Sequence, residues 1–220
     1  MRSLRIRFDK TGSIKYISHL DLMRLFTRAM RRAEIPLWFT EGFNPRPYLQ
    51  FALPLSLGMQ SVCETVDIRT ESDMPAEEIL RRLREVMPEG INIKSIGEPV
   101  YDPKYIMKGE FDLVFTCENR EKMINTIREI LNAPELTVEK PGKQGRKKVM
   151  KSFNLLEFIE SSLITETENS VVLTVVLPAG SVKNINPFLL SEKIVAAFGE
   201  TVNVDVIRKK LMLEDGSEFV

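Results

Sequence analysis

The chain has 220 residues, of which 43% are hydrophobic and 28% are charged, and its 31 basic and 31 acidic side chains give a formal net charge of zero. This length and composition predict a globular protein with one large domain or two small ones. A net charge of zero gives no argument for nucleic-acid binding. No run of the sequence approaches the ~18 consecutive apolar residues of a membrane-spanning helix. We therefore expect no membrane partner and a cytoplasmic location.

Periodic apolar residues within residues 1–100 predict a series of strands and helices. In chain order these are a strand over 4–8, an extended piece over 14–17, a helix over 19–34, extended segments over 37–39 and 48–57, a strand over 62–69, a helix over 75–87 and a strand over 91–96. The main elements follow the order β-α-β-β-α-β, which is the ferredoxin-like pattern.

The same order of elements recurs in residues 109–220. The predicted elements are a strand over 111–116, a helix over 120–131, an extended segment over 136–138, a basic insertion over about 140–168, a strand over 171–177, a helix over 187–198 and a strand over 202–213. We therefore predict an α+β fold of two tandem ferredoxin-like (βαββαβ) halves with antiparallel sheets, one over 1–100 and the other over 109–220.

The first predicted helix has clear start signals and a predicted core stripe. Ser18 is a favourable N-cap residue, and Asp21 stands three positions later, as in a capping box. This pairing already explains both residues in structural terms. Helical spacing also predicts a buried stripe, with members Leu20, Met23, Phe26, Met30 and Ala33.

The same helix carries a row of cations. The spacing of the four arginines is i, i+4, i+7 and i+8, which predicts one arginine ridge formed by Arg24, Arg28, Arg31 and Arg32. Guanidinium groups on one face repel each other, and Asp21 is the acid placed to neutralise one of them. The ridge is typical of a phosphate-binding surface, and a solvated helix face remains the alternative.

His19, the chain's single histidine, falls at the first helical position, where capping does not explain it. A neutral imidazole there is suited to act as a general base or to donate a hydrogen bond to phosphate. The alternative is a histidine that covers the first helical turn and bonds a loop carbonyl.

A glycine- and proline-rich loop follows the helix. Gly42 permits positive φ, while Pro45 and Pro47 hold the residues before them in extended conformations. Arg46 is thus predicted on a stiff turn close to Tyr48, an arrangement suited to gripping a phosphate or stacking on a base. An ordinary structured hairpin is the alternative.

Two further stretches bear on function. The segment KPGKQGRKKVMK, residues 140–151, has six basic residues and no acid, so we predict phosphate contacts from Lys143, Arg146, Lys147 and Lys148. A solvated, charged hairpin is the alternative. Glu64 falls in phase with apolar residues of its strand, which predicts a partly buried carboxylate bonded to backbone or to an arginine.

The chain is poor in histidine and cysteine ligands for a metal. Besides His19 it has two cysteines, Cys63 and Cys117, and neither belongs to a C-x-x-C pair. So few of these ligands argue against a structural zinc site, and this chain alone cannot complete an iron–sulfur cluster. We predict no metal site, no cofactor, and two reduced thiols.

The segments ISHLDLMRLFTRAMRRAEIPLWFTEGFNPRPYLQFALPLSLGMQSVCETVDI, residues 17–68, and LPAGSVKNINP, residues 177–187, resemble the bacterial radical SAM-linked protein family. The resemblance implies a domain of unknown function that occurs beside, or fused to, a radical SAM protein with a cobalamin-type domain. This chain resembles the stand-alone form, because it lacks the C-x₃-C-x₂-C motif of a radical SAM enzyme. No catalytic residue follows from the resemblance.

We therefore expect a non-enzymatic, RNA-binding accessory module that presents a tRNA or rRNA to a radical SAM partner. The arginine ridge, Arg46 and the basic segment would contact phosphates, with His19 and Tyr48 nearby. Two alternatives remain open. One is a metal-independent ribonuclease or RNA-modifying enzyme that uses His19, and the other is a protein–protein adaptor that does not bind RNA.

Overall fold

The computed structural model describes the backbone of residues 1–144 and 147–220, and side chains outside residues 140–149. The strands are β1 Arg2–Lys10, β2 Leu49–Phe51, β3 Gln60–Thr70, β4 Ile91–Gly97, β5 Lys108–Thr116, β6 Thr137–Gln144, β7 Lys147–Asn154, β8 Ser161–Glu166, β9 Val171–Pro178 and β10 Asn203–Met212. The α-helices are α1 His19–Arg32, α2 Ala76–Val86, α3 Arg120–Leu131 and α4 Phe188–Phe198. The fold is α+β, as predicted, with a mostly antiparallel sheet.

One main sheet runs through both halves of the chain. Its strand order is β4-β1-β3-β10-β5-β9-β8, and β2 pairs with β3 beside this path. Strand β10 joins β3 in parallel, through the pairs Ile207↔Gln60 and Arg208↔Ser61. In the part of the chain that the structure describes, the other strand pairs are antiparallel. The predicted antiparallel sheets are thus joined into one sheet by a parallel contact.

The local sequence explains the burial pattern of β1 and the end of α4. In β1, buried Leu4, Ile6 and Phe8 alternate with arginines, because successive side chains of a strand point to opposite faces. Helix α4 ends at Gly199, whose φ of +71° is the left-handed conformation that glycine adopts most readily.

The apolar side chains form two cores. One lies among β1, β3, α1 and α2 and includes Phe8, Phe26 and Ile79. The second lies among β5, β9, α3 and α4, and it also takes in Leu53, Met59 and Cys63 from the first half of the chain. The second core therefore crosses the predicted boundary between the halves.

Buried polar contacts also link the halves. Arg208 on β10 donates from Nε to Oε1 of Glu64 on β3 at 3.0 Å, and both side chains are 3% exposed. Of the two partners expected for Glu64, backbone or an arginine, the structure shows the arginine, and Glu64 is buried more fully than predicted. On β1, Arg5 donates to Asp67 at 2.7 Å and to the backbone oxygen of Val220 at 3.0 Å.

Three local predictions are corrected. Residues 14–17 were expected to be extended, but Gly12–Tyr16 forms a 3₁₀ helix. Residues 136–138 were expected as the second strand of the C-terminal half, but β6 pairs with β7 in a separate two-stranded sheet, and β8 takes the place beside β9. In α1, Phe26, Met30 and Ala33 are buried as predicted. Leu20 and Met23 were also expected in the core, yet Leu20 is 63% exposed and Met23 is half-buried, because α1 buries Leu22 and Ala29 in their place. Among the described residues, no helix is both long enough and apolar enough to cross a membrane.

Candidate nucleic-acid interface

Helix α1 begins as its sequence predicts. The Oγ atom of Ser18 accepts a hydrogen bond from the Asp21 backbone N–H at 3.2 Å and donates one to Asp21 Oδ2 at 2.7 Å. This bond from Ser18, followed by the one from Arg24, lowers the pKa of the Asp21 carboxyl below its ordinary value. The capping pair thus fixes the first turn of the helix that carries the arginine ridge.

The four arginines of the ridge are exposed, and their partners differ. Arg24 forms an ion pair with Asp21 at 2.9 Å, and Arg32 donates to the backbone carbonyl of Val86 at 2.8 Å. Within the described part of the chain, Arg28 and Arg31 have neither an ion-pair nor a hydrogen-bond partner. These two guanidinium groups keep their full donor capacity for a ligand.

Arg46 is carried by a short hairpin over residues 38–48. The backbone N–H of Thr40 donates to the carbonyl of Arg46 at 2.8 Å, and Phe39 forms a β-bridge with Pro47. Gly42 at the tip has a φ of +127°, which residues other than glycine rarely adopt. The predicted stiff turn is therefore a hydrogen-bonded hairpin.

The base of this hairpin is held by a cation–π contact that the sequence analysis missed. The Cζ atom of Arg69 on β3 lies 4.3 Å from the ring centroid of Tyr48 and 5.4 Å from that of Trp38. The Trp38 N–H also donates to the Arg69 carbonyl at 2.8 Å. Tyr48, predicted near the phosphate-binding residues, thus serves as part of the hairpin anchor.

Two open grooves flank the arginine ridge. The helix groove, between α1 and the residues after α2, has a volume of about 690 Å³ and includes Arg24, Arg28, Arg31, Arg32 and Pro88 in its lining. The hairpin groove, between α1 and residues 38–49, has a volume of about 470 Å³ and is lined by Arg24, Arg28, Arg31 and Arg46 together with apolar side chains. The structure thus brings Arg46 to the same groove as three arginines of the ridge.

His19 lies apart from both grooves. It is absent from the residues that line either one. Its ring meets the ring of Phe51 edge-on, with centroids 5.2 Å apart, at the border of the first core. This contact gives the imidazole a packing role.

The predicted basic contacts Lys143, Arg146, Lys147 and Lys148 lie outside the described residues or side chains. Among the side chains that the structure does describe, no group of three or more His, Cys, Asp or Glu residues is placed to hold a metal ion. Predicted functional residues therefore converge in both described grooves, and the hairpin groove is the one that joins Arg46 to the arginine ridge.

These features define an α+β protein with an arginine-lined groove beside its first helix. The family model for uncharacterized proteins conserved in bacteria, DUF2344, matches residues 3–187, so the chain belongs to this family. No curated protein matches the chain.

A solved structure with a similar fold matches the chain at low sequence identity. The crystal structure of a Cbf5-Nop10-Gar1 complex contains a chain that is 12% identical, with a TM-score of 0.50, and the match covers 94% of this chain and 48% of that one. This chain thus spans about half the length of that relative, and the likeness concerns the fold alone. The crystal structure of an unknown protein from Galdieria sulphuraria matches with 13% identity over 94% of this chain and 98% of that one, but its TM-score of 0.28 supports no argument.

Proposed function

We propose that this protein is an RNA-binding accessory module and that its hairpin groove contacts the RNA backbone. The observation that carries the proposal is the convergence of Arg46 with Arg24, Arg28 and Arg31 on one groove. Because Arg28 and Arg31 have no acidic partner among the described residues, a polyanion would relieve their mutual repulsion. Arginine is also the side chain best shaped to bind phosphate with two parallel donors.

The proposed role is binding rather than catalysis. A general base must lie within hydrogen-bond reach of the group it deprotonates, and His19 packs on Phe51 outside both grooves. RNA cleavage or modification through His19 is therefore less well supported than binding. Catalysis would be the better-supported role if the wild type cleaved RNA and the His19→Ala variant did not.

The partner and the RNA class come from the sequence resemblance. Residues 17–68 and 177–187 resemble the radical SAM-linked family, so we propose that the module presents a tRNA or rRNA to a radical SAM/cobalamin-type protein in the cytoplasm. We also propose that the chain consists of two ferredoxin-like halves. The strand orders β4-β1-β3-β2 and β10-β5-β9-β8 support this division, because each follows the βαββαβ arrangement once the β6–β7 hairpin is set aside.

The double substitution Arg28→Gln and Arg31→Gln tests the proposed phosphate contacts. Glutamine is long and favourable in helices, and both side chains are exposed, so folding should be preserved. We expect weaker binding to many RNA sequences. The slope of log affinity against log salt concentration should become shallower by about 0.7 for each lost contact to a single strand. Fluorescence anisotropy at several salt concentrations measures both effects.

A matched control removes two exposed cations from helices of the other half, through Arg128→Gln on α3 and Lys193→Gln on α4. Both double variants lower the net charge equally, so a loss of RNA affinity that is seen only in the α1 variant cannot come from net charge. Equal RNA affinity and salt slope in wild type and the folded α1 variant would contradict the proposal.

A further inference from the structure

The hairpin groove combines a cationic rim with an apolar floor. Besides its four arginines and Thr27 it is lined by the apolar residues Leu20, Met23, Pro47 and Leu49. Leu20 is 63% exposed although it lies on a helix whose opposite face is well buried. A ligand that covers this leucine while meeting the arginines must itself have an apolar surface beside negative charge.

We infer that the hairpin groove accepts an unpaired nucleotide of single-stranded RNA. The base lies against Leu20, Met23 and Leu49, and the neighbouring phosphates meet Arg28, Arg31 and Arg46. This inference rests on the proposed RNA-binding function and names the class of RNA that the groove selects. A base has an apolar face and is covalently joined to phosphate, so one nucleotide satisfies both parts of the groove.

The shape of the groove favours this ligand over two others, a duplex RNA and a membrane surface. In duplex RNA the bases are stacked and paired, so their faces cannot reach the floor. An anionic membrane surface also offers apolar groups beside negative charge, but Leu20 lines a concave groove between a helix and a hairpin, which a flat surface does not enter.

The substitution Leu20→Ser tests the apolar floor. Since Leu20 is already exposed, the change should leave the fold intact. Three probes are compared by anisotropy: a short single-stranded RNA, the same strand without bases, and a blunt duplex of the same length. We expect the wild type to prefer the single strand with bases. In Leu20→Ser, affinity for that strand should fall by about fivefold, through the loss of apolar contact, while the abasic affinity and the salt slope stay unchanged.

Leu163→Ser is the matched control, because Leu163 on β8 is also 63% exposed and lies in the other half of the chain. It should bind all three probes like the wild type. The inference would be overturned if the wild type bound the abasic and the base-containing strands equally well. It would also be overturned if Leu20→Ser did not change the affinity for the base-containing strand. The proposed function would still stand if Arg28→Gln with Arg31→Gln weakened binding.

Two further outcomes separate the remaining possibilities. If no RNA binding depends on Arg28 and Arg31, both the proposed function and this inference fail. The second outcome would point to a membrane: the wild type binds vesicles of anionic phospholipid, and Leu20→Ser abolishes vesicle binding but leaves the affinity for single-stranded RNA unchanged. In that case the apolar floor serves a membrane surface and the inference is wrong.

Discussion

At the scale of single residues, Glu64 compensates two buried cations. Burial lowers the pKa of the Lys10 ammonium group, and the charge of Glu64, which also binds Arg208, opposes that shift. Lys10 is 2% exposed and donates to the backbone carbonyls of Lys15 and Ile17 at 3.2 and 3.3 Å. Burial, and next the charge of Glu64, raise the pKa of the neighbouring Cys63 thiol to about 11.

The first prediction at this scale concerns Glu64→Gln. The change would remove the carboxylate charge that faces the two buried cations, Lys10 and Arg208. Removing one member of a buried pair costs about 3–5 kcal/mol, so we expect the free energy of unfolding to fall by that amount in urea denaturation.

Glu110→Gln provides the comparison for Glu64→Gln. Glu110 pairs with Lys210 at 3.6 Å, and both side chains are more accessible to solvent. Its loss should cost about 1 kcal/mol or less, because solvent screens such pairs. Similar losses in the two variants would show that the buried network does not depend on the charge of Glu64.

At the scale of elements, the hairpin over residues 38–48 owes its position to Arg69. The guanidinium group contacts both aromatic rings at its base, and Arg46, two residues from Tyr48, lines the groove beside α1. We therefore expect the position of Arg46 in the groove to depend on this contact at the base of the hairpin.

The prediction for this element is that Arg69→Met loosens the hairpin while the protein stays folded. Methionine keeps the length and apolar bulk of the side chain but removes the cation, which contributes about 0.5–1 kcal/mol at a partly exposed site. Trp38 is the chain's only tryptophan and reports on the contact directly. We expect stronger acrylamide quenching of its fluorescence and weaker RNA binding through Arg46.

Arg81→Met on α2 removes an exposed arginine that bonds Glu78 and Glu85 instead of aromatic rings. Trp38 fluorescence should be unchanged in this variant. An Arg69→Met protein with wild-type quenching would mean that the backbone hydrogen bonds suffice to hold the hairpin.

Much of the secondary structure could be predicted, and the errors have physical causes. Helix α3 has the predicted bounds, 120–131, because its apolar period is clear. Strand β8 was missed, since most of its side chains are exposed and it has no alternation of buried and exposed residues. The exposure of Leu20 was missed because two neighbouring apolar stripes fit the helical period, and only packing decides which is buried.

The candidate site was predictable in part. The spacing of Arg24, Arg28 and Arg31 on a helix predicts a common face from local geometry alone. Their approach to Arg46 depends on how the hairpin packs, and the Arg208 partner of Glu64 is 144 positions away in the chain. Contacts of this kind arise from tertiary structure, which periodicity does not encode.

At the scale of the whole molecule, the two halves share a sheet and a core. The division into 1–100 and 109–220 stays a prediction, but the second core includes Leu53, Met59 and Cys63, and the parallel β3–β10 contact joins the strands of the two halves. Removing the first half would therefore expose apolar surface and break the Glu64–Arg208 pair.

We accordingly predict one cooperative unfolding transition for the full chain. Trp38 fluorescence reports on the first half, and hydrogen exchange of the β9 amides reports on the second. The two should give the same urea midpoint, whereas the fragment 109–220 should unfold at lower urea or without a cooperative transition. Separate midpoints in the full chain, together with a fragment as stable as the intact protein, would identify two independent domains.

The contact between Arg5 and Val220 has a consequence for the path of the chain. Because the backbone oxygen of Val220 lies against Arg5 on the first strand, a peptide linker from residue 220 back to residue 1 would need to span only the start of that strand. A new break could then be opened in the exposed turn over 167–170, between β8 and β9, which is remote in sequence from both grooves. The order of strands in space would be unchanged by such a circular permutation, so the sheet does not depend on the order in which the chain visits its strands.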